Sequence, residues 1–270
     1  MSLHLNGIAL ITGAGHGIGR ECALGYAAEG VKGIILADTS YDAALDAAQE
    51  SETVATNPAF TAVATQVDMT DPASIAGMVS KAMKTFGRVD YYVDSTRAGY
   101  TNLPATGSSE QDRIWQDSAE GTLHCIHAVA QVMKSQAVGK YKYRGRVREA
   151  GRGSIVTVGA PSTDLGRNTV AEDAVLRLIR KAAIGLATCG IRVNTVCPGL
   201  TDDVDPVLNE KIDPLVMKSA VPMTRPARPE EIADIALFLS SPRASYVTGA
   251  AWAVDGGMKV QAEAANEMGN

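Results

Sequence analysis

The sequence predicts an α/β protein built on a doubly wound parallel sheet with helices on both faces. Three observations carry this. Short apolar runs alternate with amphipathic ones along the whole chain, the pattern of right-handed strand–helix–strand crossovers. A glycine-rich turn, Thr12-Gly13-Ala14-Gly15-His16-Gly17-Ile18-Gly19, separates the first apolar run from the first amphipathic one. An acid, Asp38, closes the second apolar run.

In chain order, 8–11 is an apolar strand, and 17–29 leaves the glycines as a helix. The same alternation gives a strand at 33–37 and a helix at 41–51, then a strand at 62–67. The helix at 72–86 opens on Pro72, with Thr70 or Asp71 placed to cap it. A fourth strand covers 89–93, and one or two helical stretches cover 110–136. Strands at 154–158 and 192–196 flank a helix at 172–188. A late helix at 229–239 and a short strand at 251–254 end the pattern. In such a sheet ligands bind beyond the carboxyl ends of the strands, near the switch in strand order.

The 270 residues carry a formal charge of −5, with 46% apolar and 20% charged side chains. That is enough chain for a large core, and residues 1–270 read as one domain. The acidic balance argues against nucleic acid as a main partner. No apolar run reaches a membrane span, and the first residues lack a secretory pattern, so the expected location is cytoplasmic. Cys22, Cys125, Cys189 and Cys197 form no CxxC pair and read as reduced thiols, with no metal site expected. Residues 134–152 hold seven Lys or Arg and one acid, Glu149. They read as a solvated loop, or as a lip attracting an anionic substrate, phosphate or partner. The tail from Lys259 is expected to order against a neighbouring subunit or to fray.

A glycine turn between strand and helix lets backbone N–H groups approach a pyrophosphate, and the helix dipole adds to the attraction. Gly13, Gly15, His16, Gly17, Ile18 and Gly19 are therefore the candidate dinucleotide cradle. Asp38 can accept from the ribose hydroxyls and repels a 2′-phosphate, which favours NAD(H). His16 is the counter-signal that keeps NADP(H) open, against a plain exposed loop histidine. Asp68, after the third strand, is placed for the adenine edge, with helix capping as its competing role.

With these motifs the chain resembles the short-chain dehydrogenase/reductase (SDR) family. The resemblance also rests on Gly87-Arg88-Val89-Asp90, Gly121-Thr122, Ile191-Arg192-Val193-Asn194 and Cys197-Pro198-Gly199. It continues through Arg228-Pro229-Glu230-Glu231 to Val254-Asp255-Gly256-Gly257. It implies a Rossmann-like, seven-stranded domain, cofactor contacts at Pro198 and Gly199, and a homodimer or homotetramer. It also implies a catalytic Asn-Ser-Tyr-Lys tetrad, and here the sequence departs from the family. The four positions fall on Ser118, Ala160, Asn168 and Glu172. The family's Asn-Asn-Ala-Gly segment reads Asp94-Ser95-Thr96-Arg97-Ala98-Gly99, and a customary Thr is Asp203.

Without a cation-held phenol, ordinary alcohol–ketone chemistry loses its proton donor. A Lys-to-Glu change also disfavours an oxyanion and tolerates a cation. Reduction of an iminium, or a cyclisation driven by orientation, survives these losses. The pattern is similar to fungal SDR-derived reductase/Diels–Alder cyclases of natural-product pathways, which implies a small cationic or polycyclic substrate. Asp164, Glu172, Arg97 and His127 are the candidate catalytic residues, with Tyr100 a further phenol. Each has a plainer alternative: a loop turn for Asp164, favourable helix-start charge for Glu172, solvation for Arg97, and a packed or interfacial role for His124 and His127. Two other functions stand beside this one. One is a non-catalytic SDR-fold partner in which the cofactor is structural or absent. The other is a conventional ketoreductase with relocated catalytic groups.

Overall fold

A computed structural model describes residues 3–96, 109–159, 169–202 and 219–268, the side chains of 109–118, 169–175 and 266–268 excepted. Seven parallel strands form one sheet: β1 (Ile8–Thr12), β2 (Gly33–Asp38), β3 (Thr61–Gln66), β4 (Tyr91–Asp94), β7 (Gly153–Val158), β8 (Ile191–Pro198) and β9 (Ala251–Val254). Their order is β3-β2-β1-β4-β7-β8-β9, so the winding reverses between β1 and β4. The helices are α1 (Gly17–Glu29), α2 (Tyr41–Val54), α3 (Pro72–Phe86), α4 (Ser109–Ser135), α5 (Thr169–Ala187), α6 (Pro229–Ser240) and α7 (Met258–Met268).

Strand side chains alternate faces, and the core divides accordingly. Ala9 and Ile11 of β1, with Ile34 and Leu36 of β2, pack under α1, α2 and α6. Leu10 and Ile35 pack with Met78 of α3, Ile126 of α4 and Ile179 of α5 on the other face. Because both faces are covered, β1 and β8 are buried along their length, which is why they read as unbroken apolar runs. Buried Arg192 ties β8 to the end of α6. It donates to the carbonyls of Leu239 (2.6 Å), Ser240 (3.0 Å) and Ser241 (3.0 Å).

One expectation changes, and two are narrowed. The stretch over 110–136 is one continuous helix, α4. The tail from Met258 forms α7 through Met268. The basic segment is not a plain loop: it folds into an antiparallel hairpin, β5 (Gly139–Tyr143) and β6 (Arg146–Gly151). Arg144 and Gly145 join the strands with φ of 49° and 76°, the two positive values that a tight hairpin turn requires. Alternation missed it because Lys and Arg fill the outward positions, while Tyr141 alone among its strand residues is buried. Its hydroxyl donates to the Pro242 carbonyl at 3.3 Å.

Asp71, one of the two expected caps, closes the start of α3 by accepting from Ala73 N and Ser74 N. At the start of α6, Glu231 accepts from the Arg228 backbone N–H (2.8 Å) and pairs with the Arg225 guanidinium (2.7 Å). The Arg225 hydrogen bond, then the Arg228 N–H, hold its carboxyl down to about 2. A lowered acid stabilises the fold above its unfolded value and loses that contribution as pH falls through the folded one. Glu231→Gln should therefore melt below the parent at neutral pH, and the two melting curves should converge toward pH 2. Both partners are exposed, so high salt should shrink the difference.

Candidate functional site

The glycine turn leaves β1 at the switch point and enters α1. Gly13 has φ of 67° and Gly17 of 50°, values that favour glycine. The turn is held to β2 by two bonds: Ala14 N to the Ala37 carbonyl (3.2 Å) and Gly15 N to the Asp38 carboxylate (2.9 Å). A Cβ on Gly19 would sit 2.0 Å from the Gly13 carbonyl oxygen, and one on Gly13 would sit 2.9 Å from Ser95 backbone. The backbone therefore approaches itself as closely as it can, leaving its outer side for a ligand.

His16 is exposed and stands at the N-cap of α1 without a side-chain cap bond, and the first turn carries no acid. The N–H groups at a helix start have no intrahelical partners. They therefore present an anion-accepting end, as the motif predicts. Asp38 also accepts from Ser40 N (3.1 Å) and Thr39 Oγ1 (3.3 Å), so its carboxylate is fixed at the carboxyl end of β2. Asp68 is exposed and accepts from the Thr70 hydroxyl (2.7 Å) and N–H (2.8 Å). These bonds lower its pKa, the hydroxyl first. Pro198 ends β8, and Gly199 N donates to the Val254 carbonyl (3.0 Å) with its Cα side against Asp255. A cleft of about 570 Å³ opens beside the turn, lined by His16, Gly17, Arg20, Glu21, Asp202 and Glu230 among others.

Beneath the turn lies a polar knot that sequence reasoning missed. Asp94, buried at the end of β4, accepts from Thr12 Oγ1 (3.1 Å), Thr96 N (3.1 Å), Thr96 Oγ1 (2.6 Å) and Thr122 Oγ1 (2.6 Å). Thr12 Oγ1 also meets the Tyr92 hydroxyl at 3.1 Å. Burial, then the Asp94 charge, hold the Tyr92 phenol well above its usual range, so it stays a neutral hydrogen-bonding group. The signal available in the sequence was the replaced Asn of the family segment, with Thr12, Thr96 and Thr122 to meet it. Gly121, beside Thr122, lets α4 close on the loop after β3: a Cβ there would meet the Met69 carbonyl at 2.4 Å.

The candidate catalytic residues are placed unevenly. Arg97, Tyr100, Ala160, Asp164, Asn168 and Asp203 lie outside the described residues. Ser118 lies on α4 one turn before Gly121, and Glu172 in the first turn of α5. His127 is exposed, as is His124. It follows Thr122 by five residues on a helix whose Cys125, Ile126 and Val129 face the core. It is therefore turned away from the sheet and more than a turn from the polar knot, and the fold does not bring it to the strand ends.

The doubly wound sheet, the glycine turn at its switch point and the anchored Asp38 define a dinucleotide-binding protein of Rossmann type. A family model described as enoyl-(acyl carrier protein) reductase matches residues 13–259. The chain is 44% identical to the short-chain dehydrogenase anuF of Penicillium roqueforti, over 97% of this chain and 99% of that one. It belongs to the short-chain dehydrogenase/reductase family, a family of oxidoreductases. Among solved structures, a short-chain type dehydrogenase/reductase from Mycobacterium marinum superposes with a TM-score of 0.79 at 28% identity, covering 95% of this chain and 97% of that one. A 7α-hydroxysteroid dehydrogenase solved with NADH and 7-oxo glycochenodeoxycholic acid gives 0.75 at 27%, covering 95% and 96%. Family and neighbours imply a nicotinamide cofactor. The residues present fit one: the turn, the open start of α1 and Asp38 would hold it, and bound it would supply hydride transfer.

Proposed function

We propose that this chain is a biosynthetic SDR that keeps the family's nucleotide end but performs non-standard chemistry at its substrate end. The reaction class is reduction of an iminium-type intermediate, cyclisation of the Diels–Alder type, or both, on a small cationic or polycyclic natural-product intermediate. The observation that carries the reading is Glu172 in the first turn of α5, on the position the family gives to its Lys. A carboxylate is favoured by the positive end of the helix. It cannot lower a phenol's pKa, and it favours a cation beside it. Hydride addition to an iminium carbon gives a neutral amine and needs no proton donor. Asp164 is the second acid of this reading, and Arg97 its candidate cation; both lie outside the described residues. Tyr92, the described phenol bonded to the glycine turn's Thr12, has its pKa pushed up rather than down, which speaks against a simple relocation of the catalytic tyrosine there.

The preferred cofactor in this reading is NAD(H). Asp38 supports it, and so does the cleft beside the turn. Its one lining arginine, Arg20, is already paired with Glu50, and its other charged lining residues, Glu21, Asp202 and Glu230, are acids. The reading includes a homodimer or homotetramer through the C-terminal strand region and the central helices, where Leu178 and Ile184 of α5 are exposed.

Calorimetric titration with NADH and NADPH should show NADH binding at least about tenfold tighter, and Asp38→Ala should erase the difference. Oxidation of NADH should be seen with a cyclic iminium and not with simple ketones. Glu172→Lys should lower iminium turnover by about tenfold or more while leaving NADH affinity within about twofold. Ketone turnover by the parent, or an unchanged rate in Glu172→Lys, would overturn the reading.

A further inference from the structure

A second cavity, of about 450 Å³, lies at the opposite end of the sheet. Its walls come from the amino ends of β1, β4 and β7, at Ile8, Tyr91 and Ser154, and from the base of the basic hairpin. The glycine turn and Asp94 lie at the carboxyl ends of β1 and β4. Four or five residues of strand, on the order of 15 Å, separate the two ends. The cavity is therefore no part of the nucleotide site.

Its lining is mostly cationic and partly aromatic, with Asp90 as its one acid. Lys32, Arg88, Lys140 and Arg152 border it, with Phe86, Tyr91 and Tyr141 as carbon surface. Arg88 is committed to Asp90 at 2.5 Å, and Arg152 donates to the Gln136 carbonyl. Lys32 and Lys140 are exposed and make no ion pair among the described residues. The hairpin's one acid, Glu149, stands opposite Lys140 in register but forms no ion pair with it. One strand behind Ser154, its register partner Arg192 is a further buried cation whose Nε has no partner among the described residues.

The charge continues beyond the cavity. Lys142, Arg144, Arg146 and Arg148 are all exposed on the hairpin above it. Arg144 and Arg148 flank the Tyr143 ring at 5.4 and 5.3 Å. In a chain of net charge −5, so dense a positive field concentrates anions at one place. Cavities of roughly this size hold small ligands, with a few polar groups setting orientation. Lysine ammonium groups and an arginine fork are the partners of phosphate and carboxylate.

We propose that the cavity under the β5–β6 hairpin is a binding site for a small organic anion, a phosphate ester or carboxylate, with Lys32 and Lys140 as its primary ligands and the hairpin cations as its funnel. The site is independent of the nucleotide reading, since no residue is shared.

The test is calorimetry at low salt on the full chain held in excess NADH, with pyrophosphate and benzoate as probes. At least one probe should bind, and its affinity should fall as salt rises. Binding of pyrophosphate alone assigns phosphate esters; binding of benzoate alone assigns carboxylates. Lys32→Glu/Lys140→Glu should weaken that binding by about tenfold or more and leave NADH binding unchanged. Lys32→Gln/Lys140→Gln should give a smaller loss in the same direction and guards against misfolding of the charge-reversed form. Heat that persists undiminished in both double variants arises elsewhere on the chain and overturns the proposal, as does the absence of binding of either probe to the parent. Failure of NADH itself to bind bears only on the nucleotide reading, because these substitutions do not touch the turn.

Discussion

Gly19→Ala should abolish nucleotide binding, weakening it by about 100-fold or more, and should lower stability as well. The added methyl would stand 2.0 Å from the Gly13 carbonyl oxygen and 3.2 Å from the Ala14 Cα. Both neighbours are backbone, so neither can swing aside as a flexible side chain would. Relief requires α1 to lift from β1, which moves the N–H groups that face the pyrophosphate. Overpacking of this kind costs about 1–3 kcal/mol. The loss of affinity is larger, because a displacement of this size at a binding loop spoils several contacts together. Gly77→Ala in α3 is the control. Nothing lies within 4 Å of its added carbon, and alanine is the better helix former by about 0.8–1 kcal/mol. That variant should bind nucleotide normally and melt at or above the parent. Equal nucleotide binding by Gly19→Ala and the parent would show that the turn is not the cradle.

Asp94→Ala should be the most destabilising change at the site. It removes the acceptor of four hydrogen bonds from Thr12, Thr96 and Thr122 in a fully buried position. The Thr12 hydroxyl retains Tyr92 and a long contact to the Val93 carbonyl. No such second partner is seen for Thr122 Oγ1 among the described residues. Leaving buried donors unsatisfied costs roughly 1–3 kcal/mol each, so a total of about 3 kcal/mol is expected. At roughly 2–4 °C per kcal/mol for a chain of this class, melting should fall by about 6–12 °C. Nucleotide affinity should fall with it, because Ser95 and Thr96 form the surface against which Gly13 packs. Asp94→Asn keeps one acceptor and should recover most of the loss. If the alanine variant melts with the parent, the knot is not what holds β1, β4 and α4 together.

These two positions differ in how they could be read. Gly19 was legible, since a glycine at that spacing between strand and helix has a steric meaning independent of the rest of the chain. Asp38 was legible for the same reason: a strand end and a charge suffice. Asp94 was visible only as a departure from the family's Asn. Its role depends on threonines 28 residues downstream and 82 residues upstream. Such a knot is closed by topology and leaves no periodicity in the sequence.

The basic hairpin shows the opposite failure. Its composition read as a solvated loop because lysines and arginines dominate it. A two-residue turn at Arg144-Gly145 and one buried tyrosine were enough to make it a ribbon. His127 shows a third kind. A helical residue's direction is set by which stripe packs, and Cys125, Ile126 and Val129 take the core side. The histidine is left on the exposed surface, where spacing alone could not place it.

By itself, the sequence determined the sheet, the glycine turn and the acid at the end of β2. Each depends on local sterics or on an alternation that repeats every few residues. It also determined the family and the absence of any Tyr-x-x-x-Lys pair, which are properties of the chain as written. Only the tertiary structure decided what closes beneath the turn, which way α4 faces and what the hairpin covers. Those features bring together residues far apart in the chain, and their energies arise from burial and unsatisfied polar groups that exist only once the sheet has formed.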